Sequence, residues 1–243
     1  MTYTPNSNSS PNQNQKPSPT PDSSQSPQDR IISQTIEHVR SLFLGEGSGH
    51  DWWHIERVWK NALLIAEQEK DVDLFVVQLA ALLHDIADYK FHGGDDTKGP
   101  QVAREWLESL GVAEETIGHV SGIIANLSFK GAGTEVAALT REGMVVQDAD
   151  RLDAIGAIGV ARTFAYGGHV GQEMYNPTLS PVMHQSFDEY KNARTTTVNH
   201  FYEKLLLLKD RMNLPASKRI AGERHAFMER FLEQFYAEWN GKA

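Results

Sequence analysis

Apolar residues recur at helical spacing along most of the chain beyond residue 28, and no segment alternates apolar and polar positions as a half-buried strand would. Ile32, Ile36, Val39, Leu42 and Phe43 line one face of a first helix, which Gly45 stops. Asp51 precedes a second amphipathic run carrying Ile55, Val58, Trp59, Ala62, Leu63 and Ala66. The third run, from Asp73 to about Asp88, is apolar on most sides, the pattern of a central buried helix. Pro100 fits the first turn of the next helix and Gly111 its end. Further helical runs cover about 114–127, 134–140 and 144–166. Two long ones follow, about 187–213 and 216–239, divided by Leu214-Pro215. The glycine-containing stretch 167–181 reads as a loop, and long loops in compact domains are often functional. The pattern predicts an all-α fold.

Composition changes this picture at one end. Residues 1–28 are almost wholly Ser, Pro, Asn, Gln, Thr and Asp, too polar to offset the entropy of ordering, and read as a disordered tail. Residues 29–243 are left as a single domain. The net charge of -9 argues against a broad nucleic-acid-binding surface, although a locally basic pocket can still take phosphates. The chain has no cysteine, which excludes disulfides and thiolate metal sites and fits a reducing cytoplasm. No apolar run approaches the ~18 residues of a membrane span, and the N-terminus lacks the pattern of a signal peptide.

The candidate chemistry centres on His84 and Asp85, adjacent polar residues inside the apolar run Leu79-Ala80-Ala81-Leu82-Leu83-His84-Asp85-Ile86. Burying both is costly unless they bind something, and a metal ion is the obvious ligand. A second histidine lies upstream in Asp51-Trp52-Trp53-His54-Ile55-Glu56-Arg57-Val58, and an aspartate downstream in Val146-Gln147-Asp148-Ala149-Asp150-Arg151-Leu152-Asp153. The ordered set His54, His84-Asp85, Asp150, together with Ser128-Phe129-Lys130-Gly131, resembles the HD-domain metal-dependent phosphohydrolases, in particular their small bacterial nucleotide-hydrolase branch. The resemblance spans most of residues 30–240. It implies an all-α HD-domain bundle, with His54, His84, Asp85 and Asp150 as metal ligands. A mixed imidazole and carboxylate set accepts Mn, Mg, Fe, Co, Ni or Zn, with Mn or Mg favoured here. One such ion polarises a phosphoryl oxygen and lowers the pKa of water.

The remaining candidates carry two readings each. Asp88, one turn after Asp85, is either the general base, working beside His84 and Asp85, or a helix-end acid bonded to a ligand histidine. Lys90 and Lys130 are phosphate contacts or solvated surface, and Arg57 and Arg151 bind phosphate or orient carboxylates. Asp153, one turn after Asp150, is read as support for a ligand, since too many carboxylates on one ion repel one another. Asp148 is ambiguous. Tyr166 and Tyr175 flank the glycine-containing loop and are candidates to stack on a base. His92 and His119 lie between His84-Asp85 and Asp150, where the resemblance implies that some HD relatives place histidines for a second metal, but no adjacent His-His pair is present. The expected partner is a small phosphorylated molecule, a nucleotide, with neither duplex nucleic acid nor membrane. The concrete expectation is cleavage of a (deoxy)nucleoside triphosphate to monophosphate and pyrophosphate. Phosphomonoester or cyclic phosphodiester hydrolysis would use the same metal core, and a catalytically silent nucleotide-binding regulator is the alternative from another class.

Overall fold

A computed structural model describes residues 25–45, 51–87, 97–127, 138–182 and 195–242. Among the described residues every regular element is helical. The N-terminal part comprises α1 (Pro27–Phe43), α2 (Trp52–Ala66), α3 (Leu74–Leu83), α4 (Lys98–Ser109), α5 (Glu114–Leu127) and α6 (Arg141–Asp153). The C-terminal part comprises α7 (Gly156–His169), α8 (Thr197–Glu203), a 3₁₀ helix (Leu205–Arg211) and α9 (Pro215–Trp239). No helix among the described residues is long and apolar enough to cross a membrane.

Short polar side chains start these helices by accepting from otherwise unpaired backbone N–H groups. Ser26 accepts from Asp29 N at 3.1 Å while the Asp29 carboxylate reaches back to Ser26 N, a reciprocal capping box. Asp51 begins α2, Asp73 begins α3, Thr140 begins α6 and Thr196 begins α8 in the same manner. Helix α1 therefore starts two residues ahead of the expected tail boundary, and the rest of the tail, residues 1–24, lies outside the described residues.

Helix α3 occupies the centre, as its apolar circumference predicts. Val76, Val77, Leu79, Ala80, Ala81, Leu82 and Leu83 are all buried, and α1, α2, α5 and α6 pack around them. Helix α4 pairs with α5, and α9 packs on α7, α6 and the 3₁₀ segment. Four expected runs differ from what forms. The run from Asp73 leaves the α-helix at Leu83, so His84 and Asp85 sit in the turn that ends it. The run 144–166 is two helices, broken at Ala154-Ile155, where Gly156 adopts φ of +76°, a left-handed conformation that glycine tolerates. The run 187–213 contains α8 and the 3₁₀ helix where it is described. Of the run 134–140, residues 138–140 are non-helical and the others lie outside the described residues.

Candidate metal centre

Three helix ends meet at the site. The start of α2 supplies His54, the end of α3 supplies His84 and Asp85, and the last turn of α6 supplies Asp150 and Asp153. Asp51 accepts from His54 N at 2.9 Å, so the cap that starts α2 also sets the position of the histidine three residues on.

Both imidazoles are oriented by their Nδ1 atoms. His54 Nδ1 lies 2.7 Å from Asp153 Oδ2, and His84 Nδ1 lies 2.8 Å from the Ala81 carbonyl. With Nδ1–H donating to these oxygens, each Nε2 carries the lone pair, the arrangement required of a neutral histidine ligand. The two Nε2 atoms converge on one carboxylate oxygen. Asp85 Oδ2 stands 3.4 Å from His54 Nε2 and 3.5 Å from His84 Nε2. Two donors each ~2.1 Å from one ion stand roughly 3.0 Å apart along an octahedral edge and roughly 3.4 Å apart along a tetrahedral one. The observed spacings suit a shared cation.

His84 Nε2 is buried and has no hydrogen-bond partner among the described residues, a cost that a bound cation removes. His54, His84 and Asp85 form the compact trio able to hold a metal, with ligand atoms within 4.8 Å of one another. Asp150 stands at the rim. Its Oδ1 is 3.6 Å from His54 Nε2, but it does not keep the trio's spacing to all three, and its side chain is 49% exposed against 16% for Asp85.

Asp153 is the buried hub behind His54. Its Oδ1 accepts from Arg57 Nε at 2.6 Å. Its Oδ2 accepts from Arg57 Nη2 at 3.0 Å and Arg162 Nη1 at 2.6 Å, besides facing His54 Nδ1. Burial by itself would raise its carboxyl. The hydrogen bonds from His54 and Arg57 and the charges of His54 and Arg162 hold it far below the usual carboxylate range instead. For His54, burial opposes protonation, but the hydrogen bonds to Asp153 and Asp85 and the charges of Asp150 and Asp85 outweigh it and push the imidazole up to about 9. A divalent cation at Nε2 takes the place of that proton.

The other expected residues separate. Arg57 is engaged with Asp153. Arg151 Nη1 donates to the Arg211 carbonyl, and burial lowers its guanidinium pKa. Tyr166 is exposed on α7, whereas Tyr175 packs among Phe235, Tyr236 and Trp239 of α9. Asp148 is fully buried and accepts from the backbone of Asn213 and Leu214, which anchors the entrance to α9. His119 bonds to Thr140 at the opposite end of α6, ~15 Å along the helix from Asp150. Asp88, Lys90, His92 and Lys130 lie outside the described residues. Sequence reasoning missed Arg162 and Arg224. Neither stands in a motif, and both reach the site only through the packing of the C-terminal helices.

The HD domain family profile matches residues 52–155, from the first residue of α2 to just past α6. Bacillus subtilis YpgQ, itself uncharacterised, is 41% identical over 199 residues, covering 81% of this chain and 87% of YpgQ. The structure of an HD-superfamily hydrolase from Bacillus thuringiensis superposes with a TM-score of 0.70 at 46% identity, covering 88% of this chain and 98% of that one. The chain belongs to the HD superfamily. As an HD-superfamily hydrolase it is a metal-dependent phosphohydrolase, and its convergent imidazoles and carboxylate suit the divalent ion that the HD domain implies. The crystal structure of Bacillus subtilis YpgQ in complex with ADP also superposes, with a TM-score of 0.69 and 34% identity over the superposed residues, covering 88% of this chain and 97% of YpgQ.

Proposed function

We propose that this HD hydrolase cleaves nucleotides at one divalent ion, Mn or Mg, and most concretely that it converts a (deoxy)nucleoside triphosphate to the monophosphate and pyrophosphate. The observation that carries the reading is the convergence of His54 Nε2, His84 Nε2 and Asp85 Oδ2, with Asp150 at the open rim. His54, His84, Asp85 and Asp150 would hold the ion. Bound there, it supplies Lewis acidity that polarises a phosphoryl oxygen and makes water a better nucleophile near neutral pH.

The chain's own residues do the rest. Asp153 accepts a hydrogen bond from His54 Nδ1–H and so keeps Nε2 as a donor of its lone pair. Arg57 fastens Asp153 from the same helix that carries His54. We assign Asp88 to proton removal from the attacking water and Lys90 and Lys130 to the polyphosphate, on the strength of their sequence motifs. Arg151, spent on the Arg211 carbonyl, braces the fold in this reading, and exposed Tyr166 offers a face on which a base can stack. The ADP complex of YpgQ supports a nucleotide as the ligand class. Phosphorus NMR of the products from a panel of nucleotides with Mn or Mg tests the proposal. Pyrophosphate with nucleoside monophosphate is the expected result, and orthophosphate, or no turnover of any nucleotide, defeats it.

A further inference from the structure

The matched HD segment ends at residue 155, yet the hub behind His54 is gripped from beyond it. Arg162, on α7, places Nη1 2.6 Å from Asp153 Oδ2, the same oxygen that faces His54 Nδ1 at 2.7 Å, and 3.4 Å from the Asp153 carbonyl. We propose that Arg162 is a positioning residue for the metal centre, through which the C-terminal helices hold the His54–Asp153 pair in its ligating geometry. The inference rests on the metal-centre reading above.

Two arginines share one carboxylate that is 1% exposed. Desolvating a second guanidinium is costly unless its own ion pair and hydrogen bonds recover the penalty, as those of Arg162 to Asp153 do. Arg57 belongs to α2, as His54 does, so these two grips on Asp153 both come from one helix. Asp153 is the last residue of α6, where the helix ends at the Ala154-Ile155 break. Arg162 comes from a third element and holds both the side chain and the carbonyl of that residue.

The C-terminal helices are built to hold Arg162 still. Gly156, with its positive φ, turns the chain back at the end of α6, and a Cβ there would meet the Arg224 side chain at 2.9 Å. Arg224 donates to the Leu152 carbonyl and, at 3.0 Å, to Asn61 Oδ1, fastening α9 to the same two helices, α6 and α2. Beyond α7, the Glu173 and Met174 carbonyls accept from Thr197 and Val198, and Tyr175 is wedged among the aromatic rings of α9. Arg162 thus sits on an element braced at both ends.

The test compares Arg162→Gln, Arg162→Lys and Phe164→Leu in the full chain. Phe164 lies on α7 but packs on Phe201 and Phe231, so its substitution loosens the same helix without touching Asp153. Mn(II) affinity is measured by calorimetry, and the His54 Nδ1 proton is followed by NMR in the metal-free protein. Arg162→Gln is expected to weaken Mn(II) binding about 3- to 10-fold, at or below the range for partners that touch a ligand directly, and to move the Nδ1 resonance. Arg162→Lys should recover most of both, and Phe164→Leu should lower the melting temperature while changing both clearly less than Arg162→Gln does. Wild-type affinity and an unmoved resonance in Arg162→Gln would overturn the inference, as would an equal loss of metal in Phe164→Leu. A wild-type protein that binds no divalent ion would defeat the metal-centre reading instead, and the Nδ1 resonance would still decide the role of Arg162.

Discussion

Replacing Asp153 with Asn keeps the shape of the side chain and removes its charge, which makes it a sharp probe of the hub. The carboxylate is surrounded by donors from His54, Arg57 and Arg162. An amide has one acceptor oxygen, so either orientation sets a donor against a donor. With the amide nitrogen at the Oδ1 position, it opposes Arg57 Nε. At the Oδ2 position it opposes both guanidinium groups and drives the His54 proton from Nδ1 to Nε2, where it blocks ligation. Breaking a buried ion pair costs roughly 3–5 kcal/mol. Arg57 and Arg162 are 31% and 27% exposed, so water recovers part of that, and about 2–3 kcal/mol is expected. For a chain of this size the melting temperature should fall by about 4–12 °C. Metal affinity should fall about 10- to 100-fold because the ligand loses its orienting partner. Urea and thermal unfolding of the metal-free protein measure the first effect, and Mn(II) titration the second. An Asp153→Asn protein that unfolds at the wild-type midpoint and binds Mn(II) with wild-type affinity would refute the hub.

Gly159→Ala should destabilise the fold by about 1–3 kcal/mol or more in urea unfolding, because its Cβ would lie 2.2 Å from the Ala154 carbonyl oxygen, a backbone atom that cannot swing away. Burial, reinforced by the Lys204 charge, lowers His200 to about 4, below its ordinary 6.5. The unfolded chain therefore takes up this proton first, and the contribution of His200 is complete above pH 6.5 and lost as the pH falls toward 4. The loss is about 2 kcal/mol by pH 5, and His200→Gln should show a correspondingly smaller drop in stability between pH 7.5 and pH 5. Lys90→Ala or Lys130→Ala should weaken use of a nucleoside triphosphate more than of its monophosphate, with metal content unchanged; equal losses on both substrates would refute the polyphosphate assignment. Deleting residues 1–24 should leave the melting temperature unaltered, whereas deleting 1–28 removes the Ser26 cap and should cost about 1 kcal/mol.

The sequence by itself determined what short-range periodicity and local chemistry encode. Helix α3 is apolar around its circumference and lies at the centre. Helix α5 has the limits its pattern predicts, and α9 begins at Pro215, one residue before the expected run. The ordered set His54, His84-Asp85 and Asp150 was legible as a candidate metal site because each residue stands in a recognisable motif, and His54, His84 and Asp85 form a trio able to hold a metal. What periodicity could not show is where a helix stops when tertiary contacts stop it. The run 144–166 keeps its helical spacing across Ala154-Ile155, and the break there lets Arg162 turn back onto Asp153. Nor could motifs show what each of the three aspartates of α6 touches. Asp148, Asp150 and Asp153 lie within six residues of one another. One faces the Asn213-Leu214 backbone, one the rim of the site and one the back of His54. Rotation of about 100° per residue around the helix sends them to different neighbours. Those neighbours, His54 at 99 positions away, Arg57 at 96 and Asn213 at 65, are brought near only by helix packing. The candidate ligands could be read from the chain, but the contacts that aim them depend on packing angles between helices, which no local pattern carries.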